Sequence, residues 1–426
     1  MCSIAAVAIL SCAPDAVHAT PSACKAGTYG EASQNIVVLE EKPWIPSPEL
    51  GYLLLDGRYG STLDQASPIR CGDGYVFLET KGSELTRLEK RSFNRTSEKI
   101  RVPGAVLTGE LLEPLGQQSA VQPLVVMVHG SETEPAINNN RAYLLAAQGI
   151  AVFTYDKRGT GQSTGIYTQN FELLADDAAA AMAHAQAMKR GHIGRSGYWG
   201  QSQGGWVAPL AASRSKADFV AVGFGLIAAP IEEDRDQMLL EAQRLGLRDD
   251  ETKQIAKLSE ATAAIVSSHF TSGFEKLNAL RIEAGSERWV REIQGEYSGD
   301  MLRMSDSDLR RIGRAVFDNL EIIWDYDSKP VLQKLKIPLL WVIAEKDREA
   351  PIVETVASLR AFRKQGKPFD AYIFPHTDHG MYEFTEKADG NRTNTRVTEG
   401  YFKLVGDWIA GRKSGHYGRG RSLSSR

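Results

Sequence analysis

From about residue 102 onward, short apolar runs alternate with stretches of helical spacing, and this alternation constrains the fold more than any other feature. Residues 121–128 and 149–155 are largely apolar rather than alternating in and out, and 197–199, 219–226, 338–344 and 371–374 are further strand signals. Between them, 139–148, 171–189, 203–214 and 352–364 are rich in Ala and Leu at helical spacing. Strands apolar on both sides need cover on both sides. The pattern therefore predicts an α/β domain over 101–410, a mostly parallel central sheet with helices on both faces.

Two segments depart from the alternation. Residues 231–329 contain no proline, and Ile255, Leu258, Ala261 and Ile265 recur at intervals of three and four. They form a helical block between two strands, a lid or a separate subdomain. Within it, Ser305-Asp306-Ser307-Asp308 offers an N-cap before Leu309, Ile312 and Val316. Residues 20–100 carry glycine-bounded strand signals at 51–57 and 74–79 and read as a small β-rich N-terminal module.

The two ends are of another kind. Residues 1–19 read as a signal peptide, with an apolar stretch at 4–10, Pro14 and a small-x-small pattern at Val17-His18-Ala19. The signal is atypical, because the first basic residue is Lys25. The expectation is a periplasmic or secreted protein, with lipoprotein anchoring at Cys12 as the lesser alternative. Cys24 and Cys71 would remain as a pair able to form one disulfide in an oxidising compartment, or as two free thiols. Residues 411–426 hold Arg412, Lys413, Arg419, Arg421 and Arg426 with no acid, and read as a basic flexible tail.

Charge narrows the partners. Fifty Lys plus Arg against 53 Asp plus Glu leave a net charge of −3, which provides no broad basic surface for nucleic acid. No apolar run approaches the roughly 18 residues of a membrane-spanning helix. A small-molecule partner is the expectation.

The motif G-x-S-x-G occurs twice, around Ser163 and around Ser202. A nucleophile elbow needs a strand running into the first glycine and a helix leaving just after the serine. Ser202 has both; Ser163 lies in a loop with no helical pattern until about Phe171. A serine needs a base, and the base an orienting acid. Downstream of Ser202 the histidines are His269 in the helical block, His376, His379 and His416 in the tail. His379 is favoured because it clears the end of the preceding strand and stands before Gly380, with His376 the runner-up. Glu345 and Asp347 follow the strand at 339–344; Asp347, further into the loop, is preferred, and Asp378 is a weaker alternative. The expected oxyanion donors are the N–H groups of Gln203, just after the serine, and Ser131, after His129-Gly130 at a strand end. His129 is given no proton-transfer role. No metal or cofactor enters this reading, since ligand spacing for a metal is missing around His376, Asp378 and His379.

These motifs together carry a resemblance. Val128-His129-Gly130-Ser131, Tyr155-Asp156-Lys157-Arg158-Gly159-Thr160-Gly161-Gln162-Ser163, Trp199-Gly200-Gln201-Ser202-Gln203-Gly204-Gly205, Ala344-Glu345-Lys346-Asp347, and Phe374-Pro375 through His379-Gly380 are similar to serine esterases of the α/β-hydrolase superfamily. The branch is that of bacterial dienelactone-hydrolase-like and prolyl-oligopeptidase-like proteins. The resemblance implies an α/β-hydrolase fold and a Ser202, Asp347, His379 triad. It also implies that Asp156-Lys157-Arg158-Gly159 is a structural loop signature. The expected activity is carboxylesterase action on small-to-medium acyl esters. An amidase, aminopeptidase or thioesterase with the same triad is the alternative within enzymes, and a non-catalytic binding protein of this fold the alternative outside them.

Overall fold

The computed structural model describes residues 24–31, 35–41, 49–80, 84–412 and 415–423. The signal peptide read at 1–19, with Cys2 and Cys12, lies outside the described residues.

The central sheet has nine strands: β1 (Phe93–Val102), β2 (Ala105–Pro114), β3 (Gln122–Val128), β4 (Ala151–Tyr155), β5 (Ile193–Gln201), β6 (Phe219–Gly223), β7 (Leu339–Ala344), β8 (Phe369–Phe374) and β9 (Arg421–Ser422). Their spatial order is β1-β2-β4-β3-β5-β6-β7-β8-β9. The strands β3 to β8 pair in parallel, while β1, β2 and β9 pair antiparallel at the edges. Strand by strand, β4, β6 and β7 are buried along their whole length, as continuous apolar runs require.

Each face of the sheet has its own core. One is packed by helices Phe171–Met188 and Gly204–Ser213, with Leu332, Leu359 and Phe362 from later helices. The other is packed by Asn140–Ala146 and Tyr401–Ile409. Side-chain caps start two of these helices: Asn139 accepts from Arg141 N–H and Asn170 from Leu173 N–H.

The N-terminal module is a seven-stranded antiparallel sheet. In its strand Asn35–Glu41 successive side chains divide between two cores. Val37 and Leu39 join Tyr29, Leu54 and Leu88 inside the module, whereas Ile36 and Val38 join Leu53 and Leu55 against the helices of the large domain. A period of two thus makes one strand both core and interface. A disulfide joins Cys24 to Cys71, with the Cα atoms 5.1 Å apart.

The helical block folds around a third core, built from Met238, Ile255, Leu258, Ile265, Leu277, Trp289, Met301 and Leu309. Asp234, fully buried, ties it together by accepting from the N–H groups of Tyr297 and Ser298. Ser305 caps helix Asp306–Phe317, accepting from Asp308 N–H.

Two sequence expectations need correction. The central sheet begins at Phe93, ahead of the boundary at residue 101, because β1 is a polar edge strand whose exposed residues give no apolar run. The expected flexible tail is partly ordered: Arg421 and Ser422 pair with β8, Leu423 N–H donates to Ala371 O, and Tyr417 and Leu423 are buried. An open β8 edge calls for a backbone partner, and that need outweighs the local charge.

Candidate active site

The parallel strands end on one edge of the sheet, and the candidate residues stand on the loops that leave it. After β5 the chain makes a tight reversal. Gly200 fits there because a Cβ would stand 2.3 Å from Gly204 O. Ser202 adopts φ 51°, a left-handed conformation that costs a non-glycine residue of order 1 kcal/mol and lifts its side chain clear of the sheet. The turn is held by Ser202 N–H donating to Gly223 O and Gly205 N–H donating to Ser202 O. Helix Gly204–Ser213 follows at once.

His379 Nε2 lies 3.1 Å from Ser202 Oγ, and His379 Nδ1 lies 3.0 Å from Asp347 Oδ2. Asp347 is buried, and its Oδ1 also accepts from the N–H groups of Glu349 and Ala350. Burial pushes the Asp347 carboxyl up, against the pull of His379. For His379, burial lowers the imidazole pKa, but Asp347 and then Glu349 outweigh it, and the net direction is up. The Phe224 ring packs edge-on against the imidazole at 5.0 Å between centroids.

A three-stranded sheet carries the histidine. Thr377–Asp378 pairs with Tyr382–Glu386, which pairs with Arg392–Val397, and His379 begins the turn between the first two. Asp378 holds this turn rather than the ring: it accepts from the N–H groups of His379 and Arg348 and from the Arg392 guanidinium. His376 turns away, its Nε2 donating to Phe384 O and its ring stacked on Phe384. Glu345 accepts from His376 N–H. His269 sits in the helical block, paired with Asp318. Ser163 is a turn residue, accepting from Thr108 N–H and donating to Asp156 O.

Of the expected oxyanion donors, Gln203 follows Ser202 directly and Ser131 follows Gly130, which lies against Ser202. Among the described residues neither Gln203 N–H nor Ser131 N–H has a hydrogen-bond acceptor. His129 is half-buried, and its Nε2 donates to Tyr155 O at 2.5 Å. Burial, reinforced by the Lys157 charge, pushes its pKa down to about 3, so the ring is neutral. The Asp156-Lys157-Arg158-Gly159 segment is bound into the fold. Asp156 accepts from the N–H groups of Ala136, Ile137 and Gln162, and Arg158 makes a buried two-point pair with Asp177.

Sequence reasoning missed Glu349, whose carboxylate lies 3.5 Å from His379 Nε2 on the Ser202 side of the ring. A second carboxylate, Glu233, comes from the first helix of the lid. Burial, with Glu296, Glu349 and Asp347 nearby, pushes it well above the usual range. Gln237 on the same helix hydrogen-bonds the Glu349 carbonyl. That helix and the loop 345–353 line a half-open cleft of about 600 Å³, with Leu239, Leu240, Pro351 and Ile352 in its wall. No local pattern marks these acids, since their meaning depends on which loop the lid covers.

No curated protein sequence matches the chain significantly. Among solved structures, the chain is similar to the Pyrococcus furiosus esterase Pf2001 (14% identity, TM-score 0.41, covering 67% of this chain and 83% of that one). It is also similar to Est1E of Butyrivibrio proteoclasticus, solved with ferulic acid (16%, 0.41, 74% and 96%). A third is the Pyrococcus horikoshii acylaminoacyl peptidase (13%, 0.42, 88% and 56%). The model of the serine aminopeptidase S33 family matches residues 119–383. That match covers more than half of the chain, and the protein belongs to this family of α/β-fold hydrolases.

Proposed function

We propose that the protein is a serine hydrolase, a carboxylesterase that cleaves small-to-medium acyl esters through an acyl-enzyme on Ser202. The observation that carries this reading is the continuous line from Ser202 Oγ through His379 to Asp347, at 3.1 Å and 3.0 Å. Ser202 Oγ attacks the ester carbonyl while His379 Nε2 takes its proton, and Nδ1–H keeps its bond to Asp347. The negative charge that develops on the carbonyl oxygen is met by the N–H groups of Gln203 and Ser131. His379 then gives the proton to the departing alcohol. Water, deprotonated by His379 in turn, releases the acid and restores Ser202. This chemistry uses no metal and no cofactor.

A fluorophosphonate probe tests the assignment. It should label the wild type and Ser163→Ala, and Ser202→Ala should abolish labelling. Labelling that survives in Ser202→Ala and disappears in Ser163→Ala refutes it.

One observation favours a second reading. Glu349 stands beside His379, and Glu233 and Glu296 lie near Glu349, a cluster of carboxyl groups that an ammonium group on the substrate would hold in their charged form. On that reading the enzyme is an aminopeptidase with the same triad. Rates on a p-nitrophenyl ester series, an alanine p-nitroanilide and its N-acetyl form separate the two. An anilide that outruns the esters, and loses its rate on acetylation, decides for the aminopeptidase. Export to the periplasm or beyond belongs to the proposal and is supported by the Cys24–Cys71 disulfide, a bond that persists in oxidising compartments. Cell fractionation tests it.

A further inference from the structure

Lys157 has no part in the chemistry just described, yet its ammonium is buried, with the residue only 3% exposed. An ammonium taken out of water costs several kcal/mol unless something nearby repays it. Its Nζ donates to the carbonyl of Gly130 at 2.8 Å and stands 5.1 Å from the centre of the Tyr167 ring. No carboxylate among the described residues pairs with it within 4.0 Å.

Gly130 lies against the nucleophile. A Cβ on it would come 3.2 Å from Ser202 Cβ and 3.4 Å from Gln201 O. The carbonyl held by Lys157 belongs to the same peptide as the Ser131 N–H. In a planar trans peptide these two groups point in opposite directions, so fixing one aims the other. The neighbouring groups are also tied: His129 to Tyr155 O, and Ser131 O to the Tyr167 hydroxyl at 2.5 Å. All three ties come from the segment 155–167. The loop beside Ser202 is therefore clamped at three consecutive residues from one side.

We propose that Lys157 is a positioning residue, whose ammonium turns the Gly130–Ser131 peptide so that Ser131 N–H faces the substrate oxyanion above Ser202. A cation on the carbonyl also polarises the peptide and strengthens its N–H as a donor. The inference rests on the serine hydrolase reading above. It gives the Lys157 of the Asp156-Lys157-Arg158-Gly159 segment a task distinct from that of its neighbours, which brace the loop itself.

The charge has a working range. Burial pushes Lys157 down to about 8, while Glu132 and Glu134 on the clamped loop pull the other way. The other groups facing it are His129, which is neutral, and Tyr167. Lys157 is charged at neutral pH and loses its proton as pH rises through about 8. Because the unfolded chain holds this proton to higher pH, the contribution of Lys157 to stability rises over the same interval. A rate that falls there does not come from unfolding linked to Lys157.

The test is kcat and KM on a p-nitrophenyl ester from pH 7 to 9.5, with melting temperatures alongside, for the full chain and for Lys157→Met and Lys157→Arg. The wild type should lose kcat through about pH 8. Lys157→Met should lower kcat by about 10²-fold, comparable to removal of one oxyanion donor, with KM within about twofold and no alkaline limb. Lys157→Arg, charged throughout, should restore part of kcat and also lack the limb. A Lys157→Met enzyme with wild-type kcat overturns the proposal. If that variant does not fold, a limb near pH 8 that persists in Lys157→Arg overturns it instead. Failure of the underlying reading looks different: Ser202→Ala would then turn over ester as fast as the wild type.

Discussion

Asp347 and Asp378 both lie within reach of the His379 segment, and their partners separate them. Asp347 meets the imidazole, whereas Asp378 is taken up by Arg392 and two backbone N–H groups. Asp347→Asn should therefore lower kcat by about 10³–10⁴-fold with little change in KM. Asp378→Asn should act chiefly on melting temperature. Glu349 belongs to the same scale. Its charge helps hold the His379 pKa above the ordinary imidazole value, so with His379 as the proposed base activity should be lost in acid as the ring is protonated. Glu349→Gln removes that help and should move the acid limb of kcat/KM to lower pH; a limb that stays in place counts against the contact. That Ser202, Asp347 and His379 come together could be expected from the sequence because each follows an apolar strand. The places of Glu349 and Lys157 could not, since they depend on which way a ring and a peptide face.

At the scale of elements, legibility followed apolar continuity. The strands β4, β6 and β7 announce themselves because they are buried along their whole length, and β3, β5 and β8 through the apolar runs they contain. The strand β1, the strand β9 and the three-stranded sheet around His379 do not, because they are polar and ordered by pairing and ion pairs. Arg392 is an example, bridging Asp378 and Glu386 across strands that carry few apolar residues. The loop after β4 is secured differently, by the buried Arg158–Asp177 pair. Arg158→Leu leaves the Asp177 carboxylate buried and alone, and should cost about 3–5 kcal/mol in urea unfolding. A loss below about 1 kcal/mol would show that the loop is held by Asp156 instead.

At the scale of the whole molecule, three bodies meet over the sheet edge: the N-terminal module, the helical block and the α/β domain. The module grips the segment that follows His379. Gly57 O accepts from Val397 N–H, Arg396 reaches Asp56, and Tyr59 packs edge-on against Tyr382. The Cys24–Cys71 disulfide closes a separation of 47 residues within that module. Cys71→Ser should lower stability by about 2–4 kcal/mol, read by denaturant unfolding, and reductant should do the same to the wild type only.

The grip on Val397 also orders events in time. Asp56 and Arg396 are 340 residues apart in the chain. During synthesis the module emerges first, with one face of its strand Asn35–Glu41 waiting for helices not yet made. The hairpin that bears His379 finds its dock on the module only by closing that 340-residue separation. Closures of such long range are slow, so the geometry around His379 should be among the last parts of the fold to settle.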